Sequence, residues 1–156
     1  MTDRKLIPKK PGIYVLVLFL EKDKNLKIGS LGRIPFERGL YGYVGSARGP
    51  GGLRGRVSRH LSVETKVFWH IDYLLQDEDV EVTKVGFIVT KKDLECTLGE
   101  KLVKQGAQPT VQGFGSSDCT CETHLFRVKG VPLQSVQIHG KSLRVIELDK
   151  EHEKRI

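Results

Sequence analysis

The hydrophobic pattern begins with an unbroken apolar run, Val15-Leu16-Val17-Leu18-Phe19-Leu20. Alternate positions are apolar on both sides, so the run predicts a strand buried on both faces at the centre of a sheet, with something covering each face. Leu40 to Ser46 predicts a second strand and Val80 to Val89 a third. Between the first two, Glu21 to Gly39 mixes charges, glycines and Pro35 with weak strand signals at Leu26-Lys27-Ile28 and Arg33-Ile34, which predicts a long loop or ragged hairpin.

Helical periodicity appears three times. Leu53, Val57 and Leu61 form one stripe, so a helix is predicted over 53–61. Phe68 to Gln76 predicts a second, with Ile71, Leu74 and Leu75 inward. Leu94, Leu98 and Leu102 mark a third that ends at Gly106, and Thr90 with Asp93 resembles a capping box at its start. Beyond it, short strands are expected at His124 to Val128 and Leu143 to Leu148, turned near Gly140. A charged tail follows from Asp149 to Ile156.

These elements fit one α/β domain over 1–156: a core at about 11–106, an extension over 107–148 and the tail over 149–156. A chain of 156 residues is long enough to bury a core without staples. Lys and Arg number 26 against 19 Asp and Glu, a net charge of +7, which favours an anionic partner without naming one. No stretch reaches the ~18 apolar residues of a membrane span and the first residues lack a signal-peptide core, so a cytoplasmic protein with no membrane partner is expected. Cys96, Cys119 and Cys121 are too few and too uneven for a disulfide framework, and reduced thiols suit that compartment.

Candidate chemistry gathers on the first two strands and the first helix. Gly12-Ile13-Tyr14 opens the first strand, Tyr43-Val44-Gly45 lies in the second, and Arg56 and His60 are four apart on one face of the helix. Phosphodiester cleavage needs an activated water, charge stabilisation at phosphoryl oxygens and help for the departing oxygen; a tyrosine, an arginine and a metal can supply these. The structural alternatives are core filling for each tyrosine, a solvated helix face for Arg56 and a packed surface residue for His60.

The ordered set of these motifs, with Leu53-Arg54-Gly55-Arg56-Val57, resembles the GIY-YIG nuclease family, which includes the first incision module of bacterial nucleotide excision repair and several homing endonucleases. The likeness is close over about the first sixty residues and looser to about Gln105. Through Trp69-His70-Ile71-Asp72-Tyr73-Leu74-Leu75 and Phe114-Gly115-Ser116-Ser117-Asp118-Cys119 it is similar to a branch of that family found in archaea and bacteria. The resemblance implies a small, mostly antiparallel three-stranded sheet packed with helices, here with a C-terminal β extension, and a metal-dependent endonuclease acting on DNA. It implies Tyr14 as base or water-orienting group and Tyr43 as its support, with the two roles exchangeable. Arg56 would clamp phosphate and His60 would pass a proton or bond the scissile group.

The family holds one divalent cation, Mg²⁺ or Mn²⁺, through a glutamate on the helix after the third strand. Glu95 is chosen over Glu100 because it shares a face with Gly99 and Leu102, although the family's spacing would place the ligand at Gly99. Arg48, Arg54 and Arg59 are candidate contacts to the nucleic-acid backbone. A non-catalytic binding module on the same scaffold and an RNA endonuclease are the alternatives. Cys119-x-Cys121-x-x-His124 with Cys96 offers the soft donors zinc prefers, but the short CxC spacing is unlike common zinc modules, so ordinary thiols are expected. The Gly49 to Gly52 loop could offer N–H groups to a phosphate, and a plain turn is the favoured alternative. His70 and Asp72, two apart, do not share a helical face, so a joint role is not expected.

Overall fold

The computed structural model describes residues 5–62, 67–115 and 121–148; the expected tail over 149–156 lies outside them. In chain order the elements are β1 (Gly12–Leu20), β2 (Lys24–Lys27), β3 (Arg33–Phe36), β4 (Gly39–Ala47), α1 (Gly52–His60), α2 (His70–Leu75), β5 (Val80–Val89), α3 (Glu95–Lys104), β6 (Gln108–Pro109), β7 (Leu125–Arg127), β8 (Gln137–Ile138), β9 (Lys141–Ser142) and β10 (Arg144–Glu147).

The chain is an α/β protein whose main sheet has six antiparallel strands in the order β10-β5-β1-β4-β7-β6. β1 sits near its middle, with β4 and β5 on either side. Its even positions Tyr14, Leu16, Leu18 and Leu20 join the core beneath α1 and α2 with Leu53, Val57, Ile71 and Leu74. The odd positions Ile13, Val15 and Val17 join a second core with Leu98 and Leu102 of α3 and Leu133, Val136 and Ile138. Both faces of the apolar run are therefore covered, which is why no polar alternation appears in it.

The expectation of three strands is corrected to six. The segment expected as an appended extension supplies β6, β7 and β10: β7 pairs along the outer edge of β4 and β10 along that of β5, whose N–H and C=O groups would otherwise be open, and β6 pairs with β7. β7 and β10 fall within the short strands expected at His124 to Val128 and Leu143 to Leu148, whereas β6, two residues long, carries no alternation that the sequence could show.

Glu21 to Gly39 forms a hairpin, with Lys24 opposite Phe36 and Lys27 opposite Arg33. Lys24 Nζ ties it to Asp79 at 2.7 Å and Asp77 at 3.2 Å, so the segment is fastened to the turn before β5. The capping box expected at α3 is absent. Thr90 Oγ1 accepts from the Lys92 N–H at 3.1 Å, and the helix begins at Glu95 behind Leu94 with no side-chain cap. A hydroxyl that folds back on its own turn cannot also cap the helix.

For Cys96 and Cys121 the expectation of reduced thiols is corrected as well, because the two are joined as a disulfide, while Cys119 lies outside the described residues. The first turn of α3 and the segment leading to β7 come together across 25 residues, with Cα atoms 5.8 Å apart, within the span a disulfide needs. Spacing along the chain could not reveal that approach.

Candidate active site

Tyr14 and Tyr43 lie on neighbouring strands and face the same side of the sheet. In the β1–β4 register Tyr14 is opposite Gly45 and Tyr43 opposite Leu16, which leaves the two rings 6.5 Å apart. Gly45 is a packing requirement, since a Cβ there would lie 2.5 Å from Tyr14 Oη. The glycine of the second tripeptide is thus room for the tyrosine of the first.

α1 approaches this pair from above. The Leu53 and Arg54 N–H groups donate to the carbonyls of Lys10 and Pro8, and Gly52 N–H donates to Gly49. The helix start is therefore spent on the chain itself, and the 49–52 segment is a turn. One helical turn on, Arg56 donates from Nη1 to the Ser46 carbonyl at 2.8 Å, and its guanidinium lies 4.7 Å from the Trp69 ring centre. His60 is buried at 4 % exposure with Nε2 2.7 Å from Tyr14 Oη.

Burial lowers the pKa of His60 to about 3, with Arg56 and Arg59 pushing the same way and Asp72 opposing. The ring is neutral near pH 7, and its Nδ1 has no hydrogen-bond partner among the described residues. Tyr14 is pushed well above the ordinary phenol range by burial and by Tyr43, against the lowering effect of Arg56. Tyr43 is pushed up too, first by burial and then by Glu95. Both tyrosines are phenols near neutral pH.

Tyr43, Arg48, Arg56, Trp69, Glu95 and His124 line one cleft of about 400 Å³. Tyr14, 1 % exposed, stands behind Tyr43 and is not part of that lining. Glu95 enters from the first turn of α3 with its Oε1 3.6 Å from His124 Nδ1. Glu100 does not line the cleft. Gly99 could not carry the carboxylate without repacking, because a Cβ there would meet the Phe126 ring at 2.9 Å.

The three arginines expected to contact the nucleic-acid backbone have different surroundings. Arg54 donates to the carbonyls of Ile7 and Lys5 at 2.8 and 3.1 Å, tying the N-terminal segment to α1. Arg59 forks onto Asp72 at 3.0 and 3.2 Å and covers Trp69 at 4.0 Å from the ring centre. Arg48 is half exposed on the rim, 3.2 Å from the exposed Asp93.

Sequence reasoning missed the part played by Trp69 and Asp72. Burial alone would raise Asp72, but Arg59 and the N–H groups of Trp69 and Phe68 outweigh it and hold the carboxyl below its usual range. Trp69 then lies between Arg56 and Arg59. The signal was present as an aromatic next to a helix start with Asp three residues on, a half capping box. His70 is separate from Asp72; it accepts the Gly115 N–H at 2.8 Å and borders the cleft.

No curated protein and no solved structure matches the chain. One family model does match, over residues 13–145, which runs from the second residue of β1 to the second residue of β10 and includes every cleft residue named above. By that match the chain belongs to the family described as Domain of unknown function DUF123.

Proposed function

We propose that the chain is a metal-dependent endonuclease that hydrolyses phosphodiester bonds in DNA at this cleft, on a scaffold resembling that of GIY-YIG nucleases. The observation that carries the proposal is the meeting of Tyr43, Arg56 and Glu95, from β4, α1 and α3, around one polar cleft. The net charge of +7 supports an anionic substrate.

Arg56 binds the scissile phosphate. Its ties to Ser46 and Trp69 fix the guanidinium plane, and of its five N–H donors only part are used within the protein, so a planar fork remains for two phosphoryl oxygens. Tyr43 is the phenol that faces the cleft and orients the attacking water, and Tyr14, held by His60, supports it from behind. This exchanges the two tyrosine roles. Neither phenol is ionised near neutral pH, so each acts by hydrogen bonding.

Glu95 would hold the divalent cation. Its single carboxylate is 22 % exposed beside a cleft with room for solvent, a donor set that suits Mg²⁺ or Mn²⁺, which keep several waters. When bound there, the ion supplies charge neutralisation at a phosphoryl oxygen. Arg48 on the rim takes a neighbouring phosphate of the strand. Phe68, 77 % exposed at the same rim, offers a face on which a base can stack.

One observation favours a second reading, a non-catalytic nucleic-acid-binding module: the raised pKa values of both tyrosines leave no phenolate to act as base. Cleavage of labelled linear, flapped and branched DNAs and RNAs, with Mg²⁺, Mn²⁺ or chelator, separates the alternatives. Chelator-sensitive DNA cutting is the expected result. Binding without cutting in any metal identifies the binding module, and cutting confined to RNA moves the substrate. A DNA or RNA substrate goes with the proposed cytoplasmic location; among the described residues no helix is long and apolar enough to cross a membrane.

A further inference from the structure

α3 opens with Glu95 and Cys96, and the segment before β7 brings Cys121 and His124 against it. The sulfurs of Cys96 and Cys121 and a ring nitrogen of His124 all lie within 4.8 Å of one another. They line a second pocket of about 420 Å³, which shares only Glu95 and His124 with the cleft.

The imidazole is arranged as a ligand. His124 is buried at 4 % exposure, with Nε2 3.0 Å from Cys121 Sγ and Nδ1 3.6 Å from Glu95 Oε1. A carboxylate beside Nδ1 favours the tautomer protonated there, which turns the Nε2 lone pair toward the sulfurs.

We propose that Cys96, Cys121 and His124, with the disulfide reduced, form a Zn²⁺ site in which Glu95 is the outer partner of His124. Two thiolates and an imidazole are soft and borderline donors that select zinc over Mg²⁺ or Ca²⁺. Sulfurs bound to one zinc at ~2.3 Å stand roughly 3.8 Å apart in a tetrahedron, a separation the two side chains reach once the S–S bond opens. Zinc takes four ligands, so a further donor joins these three.

The oxidised and metal-bound forms exclude each other. Opening the disulfide takes two electrons from a dithiol or phosphine reductant and two protons from solvent, giving two thiols. Zn²⁺ then displaces both thiol protons as the Zn–S bonds form. The expectation of ordinary thiols rested on the spacing of Cys119 and Cys121. The sulfur that the fold places beside Cys121 is that of Cys96, distant in sequence, and Cys121-x-x-His124 supplies the near pair.

The test uses the full chain, reduced with a phosphine and freed of reductant, titrated with Co²⁺ and then Zn²⁺ alongside thermal melts. Reduced protein is expected to bind one Co²⁺ with near-ultraviolet sulfur-to-cobalt absorption and the visible bands of a tetrahedral ion, and Zn²⁺ should displace it. Oxidised protein should bind none at this site. Cys96→Ser and Cys121→Ser should each lower affinity at least 100-fold and weaken the sulfur band. Glu95→Gln, which leaves all three donors in place, should lower affinity by about 10- to 100-fold.

Reduced protein that takes up no Co²⁺, whether it stays folded or not, overturns the site. So does uptake that is unchanged in both serine variants. These readouts are independent of DNA cleavage, so an inactive nuclease with an intact cobalt spectrum would remove the proposed activity and leave the zinc site standing.

Discussion

His60 shows how one buried side chain ties the site to stability. Its folded pKa of about 3 lies below the ordinary value of 6.5, so between those values the unfolded chain carries a proton that the native ring refuses. Stability is fully present above pH 6.5 and falls with acid at up to about 1.4 kcal/mol per pH unit from this group. Denaturant melts from pH 7 to 4 should therefore show a shallower loss in His60→Gln than in the parent chain, with His70, His124 and Asp72 contributing the common background. Equal slopes would mean that His60 titrates normally. The carboxylates offer a second contrast at this scale: Glu95→Gln should abolish Mg²⁺-supported cleavage, whereas Glu100→Gln, outside the cleft, should stay within about twofold of the parent in a single-turnover assay. Loss in Glu100→Gln alone would move the metal.

The elements that carry the site differ in how visible they are in sequence. β1, β5 and α1 show long apolar patterns, and the structure places them within a residue or two of where those patterns predict. Gly45 was legible only as a motif letter, and its reason, the Tyr14 ring across the strand pair, is a matter of register. β7 and β10 were legible as short strands but not as members of the main sheet, because each pairs with a strand distant in sequence, and β6 is too short to carry a period. α2 falls between these cases: its apolar residues were readable, but not the use of Asp72 to hold Arg59 and the Phe68 and Trp69 N–H groups. Removing that carboxylate leaves donors unpaired at a nearly buried position. Asp72→Ala should cost about 3 kcal/mol in urea unfolding and weaken cleavage through displacement of Trp69 from Arg56. A change below about 0.5 kcal/mol would show that the carboxylate does not hold this corner.

For the molecule as a whole, positive charge and a cleft with Arg48 on its rim predict DNA binding that weakens with salt, as neutralised phosphates release counterions. Arg48→Ala should reduce the log-log salt slope by about 1, while Arg54→Ala should lower the melting temperature and leave the slope near that of the parent, because Arg54 is committed to the Ile7 and Lys5 carbonyls. Fluorescence anisotropy at four salt concentrations reads both, and a slope unchanged in Arg48→Ala would place the strand elsewhere. The central proposal is that the cleft around Arg56 cuts DNA, and it is tested most directly by single-turnover cleavage in Mg²⁺ at saturating protein, comparing the parent chain with Arg56→Ala and Arg56→Lys. If the guanidinium fork stabilises charge that develops in the transition state, Arg56→Ala should lose about 10²- to 10³-fold in rate with binding changed far less, and Arg56→Lys should recover little of it. Undiminished cleavage by folded Arg56→Ala protein, or no cleavage by the parent chain in any divalent metal, would contradict the assignment.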